Sequence, residues 1–184
     1  LAAIYLKKNK PIVIDEIEIP EPNSDQVLIK MIASGICNSQ LFNLSRNPLN
    51  PELLGHEGTG VILKKGQKVK DLKEGDQILI SWMPNTFSKN TKYLEWTKFT
   101  YKNKELNSVI YTWSEYILIH KQFVSRLPKN IDKYNSSIIG CAGIAGYGTV
   151  FKNVKKNTNS IVVMGIGGLG LLAINAAKNL NVKK

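Results

Sequence analysis

Cysteine, histidine and arginine are all scarce in this chain of 184 residues. There are two cysteines and two histidines, and the only arginines are Arg46 and Arg126. Two cysteines build no disulfide framework, and none is expected in a reducing compartment. Acidic residues are also few, 14 against 25 basic ones, for a net charge of +11 and a pI near 9.6. That excess is almost all lysine, scattered along the chain in pairs no longer than Lys7-Lys8, Lys64-Lys65 and Lys155-Lys156. A nucleic-acid face needs clustered Arg/Lys with interleaved aromatics, so no nucleic-acid partner is expected. No basic-then-apolar leader opens the chain. The charge-free run over residues 161–177 is slightly short for a bilayer and carries a helix-breaking glycine cluster in its first half. It reads as a buried strand–turn–helix, with no membrane partner. With 43% hydrophobic and 21% charged residues, the expectation is a soluble, cytoplasmic globular protein.

Short β-rich stretches fill the first two thirds. Residues 2–19 read as two strands joined by a turn at Lys8-Asn9-Lys10-Pro11, and Pro20-Glu21-Pro22-Asn23 stops the second. Residues 26–33 form another, closed by Ser34-Gly35. Ser39 is expected to cap a short helix running to Leu44, with Cys37 on the entering turn. Further strands are expected over 61–64, 77–81 and 111–120, separated by Lys65-Gly66 and Lys73-Glu74-Gly75-Asp76. Residues 82–108 are polar and irregular, with Tyr93, Trp96 and Phe99 spaced for packing. Short strands with turns between them predict a small barrel or sandwich. The pattern then changes. Asp132 is placed to cap a helix toward Ile139, a second helical span covers 143–151, a β run covers 160–164, and a helix covers 169–180. A domain boundary is expected near Cys141, dividing residues 1–140 from 141–184.

Four motifs carry chemistry. Gly55-His56-Glu57-Gly58-Thr59-Gly60 sets an imidazole beside a carboxylate among glycines, which reads as a turn presenting the ring; an ordinary turn histidine is the alternative. Cys37 lies in Gly35-Ile36-Cys37-Asn38-Ser39 and Cys141 in Gly140-Cys141-Ala142-Gly143. Two thiols and an imidazole suit zinc, and three protein ligands leave a fourth position for water or substrate. Either cysteine alone reads better as a small buried hydrophobe, but the set beside a nucleotide turn does not. Gly165-Ile166-Gly167-Gly168-Leu169-Gly170 follows an apolar β run and opens an apolar helix. In a dinucleotide-binding turn the first glycine makes the bend, the second admits a pyrophosphate and the third packs helix on strand. The helix N-terminus then offers N–H groups to the phosphates.

These motifs, in this order and roughly this spacing, resemble those of the zinc-dependent alcohol dehydrogenases of the medium-chain dehydrogenase/reductase superfamily, the standard example of a Cys/Cys/His catalytic zinc site. The resemblance spans essentially the whole chain. It implies a mixed α/β fold: a GroES-like β-barrel catalytic domain over residues 1–140, followed by the first βα unit of a truncated Rossmann domain over 141–184. It implies Cys37, His56 and Cys141 as ligands of one zinc ion, Glu57 as the carboxylate behind the metal, and Ser39 as the hydroxyl relaying the alcohol proton. Gly165, Gly167, Gly168, Leu169 and Gly170 would contact NAD or NADP. The implied reaction is hydride transfer between a small-molecule alcohol or carbonyl and NAD(P), in a full-length homodimer or homotetramer.

Three features depart from the family pattern. Gln40 stands where many members have an aspartate bonding the zinc histidine, which alters that support. Phe42 occupies the place of a relay histidine, so the proton leaves by another route. Residues 82–108 lack the four cysteines of a second zinc site. Cys-x-Ser-Gln without that second site resembles a subgroup associated with sugar or polyol metabolism. The sequence starts without Met and stops at Lys184, one βα unit into a domain of five or six strands, so an N-terminal fragment inactive on its own is expected. The NAD/NADP selector, about 20 residues past the glycines, falls beyond that end. Two other readings stand beside this one: a zinc-independent quinone-reductase-like member, against which the intact ligand set argues, and a non-catalytic basic binding module.

Overall fold

A computed structural model describes residues 1–85, 96–155 and 157–183. The N-terminal strand β1 (Ala2–Tyr5), buried along its whole length, pairs antiparallel with β2 (Val13–Asp15). The largest sheet grows from β3 (Gln26–Ser34), where Val27 and Ile29 are fully buried while Lys30 is exposed, the period-two signature of a strand with one face on the core. A two-residue strand, β4 (Glu52–Leu53), completes the first sheet in the order β2-β1-β4. The second sheet adds β5 (Gly58–Lys65), β6 (Gln77–Ile80), β9 (Tyr116–His120) and β10 (Val124–Arg126) in the order β10-β6-β5-β3-β9, every pairing antiparallel. The result is the curled, half-barrel sheet of a GroES-like domain within a mixed α/β chain.

Inside the curl, Val27, Ile29, Ile62, Ile78, Ile80, Ile117 and Ile119 meet, with Tyr111 fully buried among them. The Tyr111 hydroxyl accepts the Leu118 N–H at 3.0 Å, so its polar end is satisfied. The strand expected over 111–120 is shorter than predicted. Only Tyr116–His120 pairs in the large sheet, while residues 113–115 bond to β1 and so join the two sheets through Ala3 N–H to Trp113 O and Glu115 N–H to Leu1 O. Register shifts between β3 and β5 fall at Leu28/Ile29 and Met31/Ala33. The second re-aims the end of β3 just before Cys37, as bulges beside sites often do.

Residues 82–108 are not irregular throughout. β7 (Thr97–Tyr101) and β8 (Lys104–Ser108) form a hairpin. Its two-residue turn places Lys102 and Asn103 at positive φ, 48° and 61°, a geometry that usually announces itself by glycine. Phe99 is buried against Tyr111 with ring centroids 6.1 Å apart, whereas Trp96 is 62% exposed. The aromatic lobe therefore rests on Phe99 and not on Trp96; Tyr93 lies outside the described residues.

Past Arg126 the chain turns helical. Asp132 caps as expected, its Oδ1 accepting the Tyr134 and Asn135 N–H groups. What it caps is a 3-10 turn (Asn135–Ile138) followed by one π-helical turn (Ile139–Gly143). Beyond Asn38–Leu44 (α1), the longer helices are α2 (Ile144–Asn153) and α3 (Gly168–Asn179), which pack closely enough that a Cβ on Gly146 would stand 2.7 Å from Leu172. The β run expected over 160–164 forms no strand and is unpaired among the described residues, and Val162 and Met164 are 86% and 94% exposed. A strand needs a neighbour to receive its N–H and C=O groups, and no described strand lies beside this one. No described helix is long and apolar enough to cross a membrane.

Candidate metal centre

Three separate elements deliver the donor atoms. Cys37 is the N-cap residue of α1, in extended geometry and with no side-chain capping bond. The expected cap, Ser39, instead lies inside the first turn. His56 sits between β4 and β5, where the chain bends at Gly55 with φ +91°; a Cβ there would also stand 2.5 Å from the Thr112 hydroxyl. The motif's turn is thus confined to Gly55, for Gly58 and Gly60 already belong to β5. Cys141 rides the π-helical turn, which is pressed onto the end of β6. A Cβ at Gly140 would meet the Ile80 carbonyl oxygen at 1.9 Å, and the Ser81 hydroxyl donates to Gly140 O at 2.8 Å.

The structure brings Cys37, His56 and Cys141 together, with one ligand atom from each lying within 4.8 Å of the others. The two Sγ atoms are 3.8 Å apart and unbonded. Two sulfurs each about 2.3 Å from a tetrahedral zinc ion stand about 3.8 Å from one another, so the spacing matches the ion that the donor chemistry favours. All three residues are partly buried.

The surroundings tune each donor. Burial pushes the Cys37 thiol up, but the neighbouring Ser39 and the Cys141 thiol bring it below the usual thiol value. Burial, and then Cys37 itself, push Cys141 up to about 12. Cys37 is therefore the first of the pair to ionise. Burial lowers His56, leaving the ring neutral and its lone pair available. Glu57, 2% exposed, is pushed up by burial, a shift opposed by the N–H groups of Ala142 and Cys141. Its Oε2 accepts those N–H groups at 3.4 Å and 3.0 Å, and its backbone carbonyl accepts the Ser34 hydroxyl at 2.9 Å. Glu57 thus ties β5, the end of β3 and the Cys141 turn into one frame, and touches no substrate space itself.

Two neighbours were not among the expected site residues. Trp82 stands near enough to the Cys141 thiol to oppose its rise, and it lines a cavity of about 290 Å³ with Gln40, Leu53, His56, Val109 and Ile110. Gln40, 5% exposed, bonds His56 directly. Its position directly after Ser39 marks it in the sequence; nothing local marks Trp82. Phe42 is 73% exposed on α1 and carries no group able to pass a proton.

The glycine cluster forms its own concavity. Gly165 takes φ +90°, Gly167 caps α3, and a Cβ at Gly170 would strike the Gly165 carbonyl oxygen at 1.9 Å. Gly167 and Gly168 face open space and Leu169 is half-exposed, so backbone N–H groups at the start of α3 are reachable, the requirement for an anionic ligand there.

Comparison with known proteins bears on the family and the fold. The family model described as the alcohol dehydrogenase GroES-like domain matches residues 23–129. An alcohol dehydrogenase of Rhizobium meliloti is 33% identical over 98% of this chain and 55% of its own length; one from a Moraxella species is 31% identical over 98% and 56%. The chain spans about half the length of the curated relatives it matches. Among solved structures, benzyl alcohol dehydrogenase from Acinetobacter calcoaceticus superposes with a TM-score of 0.78 at 24% identity, covering 97% of this chain and 55% of that one. An alcohol dehydrogenase zinc-binding domain protein from Burkholderia ambifaria gives 0.82 at 22%, over 97% and 55%. At those identities the superpositions establish the fold. The family-model match covers more than half of the sequence, and on that ground the chain belongs to the alcohol dehydrogenase family with a GroES-like domain.

Proposed function

We propose that the protein to which this chain belongs is a zinc-dependent alcohol dehydrogenase using NAD or NADP, and that Cys37, His56 and Cys141 hold its one catalytic ion. The observation that carries this reading is the convergence of two thiols, 3.8 Å apart, and a neutral imidazole within 4.8 Å of both. In it, residues 1–140 form the catalytic part and residues 141–184 open the dinucleotide-binding part, the whole assembling as a homodimer or homotetramer. Zinc supplies a Lewis acid for the alcohol oxygen, and the dinucleotide supplies the hydride acceptor.

The remaining chemistry belongs to the chain. Ser39, exposed on the first turn of α1 and bonded to Cys37, takes the alcohol proton and passes it to solvent, since Phe42 cannot carry it onward. Glu57 holds the Cys141 backbone so that its sulfur faces Cys37. Leu53, Trp82, Val109 and Ile110 line an open cavity beside His56, which gives an alcohol an apolar surface to lie against. Gly165, Gly167, Gly168, Leu169 and Gly170 bind the pyrophosphate through the start of α3. A second, four-cysteine zinc site is impossible with two cysteines in the chain.

The test is elemental analysis of the full-length protein together with an NAD(P)-coupled assay on alcohols. One zinc per chain and metal-dependent alcohol oxidation are expected. Metal-free protein that still reduces quinones would replace this reading by the zinc-independent one.

A further inference from the structure

The Gln40 side chain is buried on α1 and both ends of its amide are engaged. Oε1 accepts the Gly55 N–H at 2.8 Å, and Nε2 stands 2.8 Å from His56 Nδ1. A backbone N–H can only donate, so the oxygen end belongs to Gly55 and the NH₂ end to His56. An NH₂ group can only donate as well. Nδ1 is therefore the acceptor, and the single proton of the neutral ring sits on Nε2. With Nδ1 tied to Gln40, Nε2 is the nitrogen left to face Cys37 and Cys141.

An ion binds a lone pair, not an N–H. Loading thus requires the ring to give up its Nε2 proton and take one at Nδ1, with no net change in protons on the ring. The new Nδ1–H then points at the Gln40 NH₂, donor against donor. Turning the amide by half a revolution offers Oε1 to His56 but leaves NH₂ facing the Gly55 N–H. In either orientation a buried donor lacks an acceptor, which costs free energy. Histidines that ligate metals ordinarily donate to a carboxylate, a carbonyl or water, and partners of this kind set both tautomer and affinity. Gln40 meets that need only by giving up Gly55.

We infer that Gln40 is a positioning residue that holds His56 in the metal-free tautomer, so that metal loading is coupled to a half-turn of its amide and the site binds its ion more weakly than a carboxylate at position 40 would allow. The inference rests on the proposed metal site. Glutamate at this position keeps the length of the side chain and accepts from Gly55 and from Nδ1–H at once.

The experiment uses the full-length protein, wild type and Gln40→Glu, stripped of metal. ¹⁵N NMR of the histidine rings should show His56 as the Nε2–H tautomer in wild type and as the Nδ1–H tautomer in Gln40→Glu. Competition with a chromophoric chelator should show Zn²⁺ bound about 10–100-fold tighter by Gln40→Glu. An Nδ1–H tautomer in metal-free wild type overturns the inference, and so does equal Zn²⁺ affinity in two folded proteins. The tautomer is the deciding readout, because an added negative charge alone would raise affinity without moving the ring proton. Failure of both proteins to bind Zn²⁺ overturns the metal reading itself, and this inference with it.

Discussion

Ser39 lies beside the Cys37 thiol and helps to lower it, and the proposed function makes it the carrier of the alcohol proton. The N-cap position of α1 is filled by Cys37, so Ser39 contributes no capping bond to lose. Its removal should act on chemistry and not on folding. In the full-length enzyme Ser39→Ala is expected to lower kcat by about 10²–10⁴-fold, the usual range for a general acid–base group. The melting temperature should stay unchanged, and Ser39→Thr should retain activity because it keeps the hydroxyl. Steady-state kinetics beside thermal melts decide the matter: wild-type turnover with a lowered melting temperature would return Ser39 to a structural role. At this scale the identities of Cys37, His56, Glu57 and Cys141 were legible from motif and spacing. The place of Gln40 beside that histidine was legible by resemblance, but which end of its amide meets His56 was not, because an amide's two ends become distinguishable only once their partners are in place.

Among the elements, β3 is the one on which the site hangs, and its start is held by charge. Asp25, just before the strand, bonds the Lys121 ammonium at the end of β9, the Ser24 hydroxyl and Lys68, and together these hold its carboxyl down to about 2 from an ordinary 3.8. A depressed carboxylate stabilises the fold above its unfolded value, and that contribution disappears as pH falls through its folded one. Asp25→Asn should therefore be less stable than wild type at neutral pH, with the gap closing between about pH 4 and pH 2. Denaturant melts across that window test it, and a gap independent of pH would show that Asp25 acts by packing alone. The gap should also shrink in high salt, since the pair is partly exposed. Strand β3 itself was plain from its β-rich composition and the Ser34-Gly35 that ends it. The β7–β8 hairpin was not, since its turn uses Lys102 and Asn103 at positive φ with no glycine to announce it.

In the whole molecule, polar cover is uneven. The half-barrel closes its core, but α3 and the segment before it expose Val162, Met164, Ile166, Leu169 and Leu171, each more than half accessible. Contiguous apolar surface of this kind drives association. Residues 1–184 on their own are expected to associate with rising concentration and to lack dehydrogenase activity, as light scattering coupled to size exclusion and an NAD(P) assay would report. A monodisperse monomer that binds NAD would contradict this.

By itself the sequence determined which residues are able to do chemistry and which local elements form, because periodicity and glycine spacing act over a few neighbouring residues. It marked β3, β5, β6 and α3 to within a few positions, along with the three residues that the structure brings together. Only the tertiary structure decided that Cys37, His56 and Cys141 converge within 4.8 Å of one another, that Cys37 and not Ser39 is the N-cap residue of α1, and that residues 160–164 run unpaired among the described residues. Those outcomes depend on strand pairing between distant stretches, on burial, and on which hydrogen-bond partner arrives, and none of these is written in any one stretch of the chain.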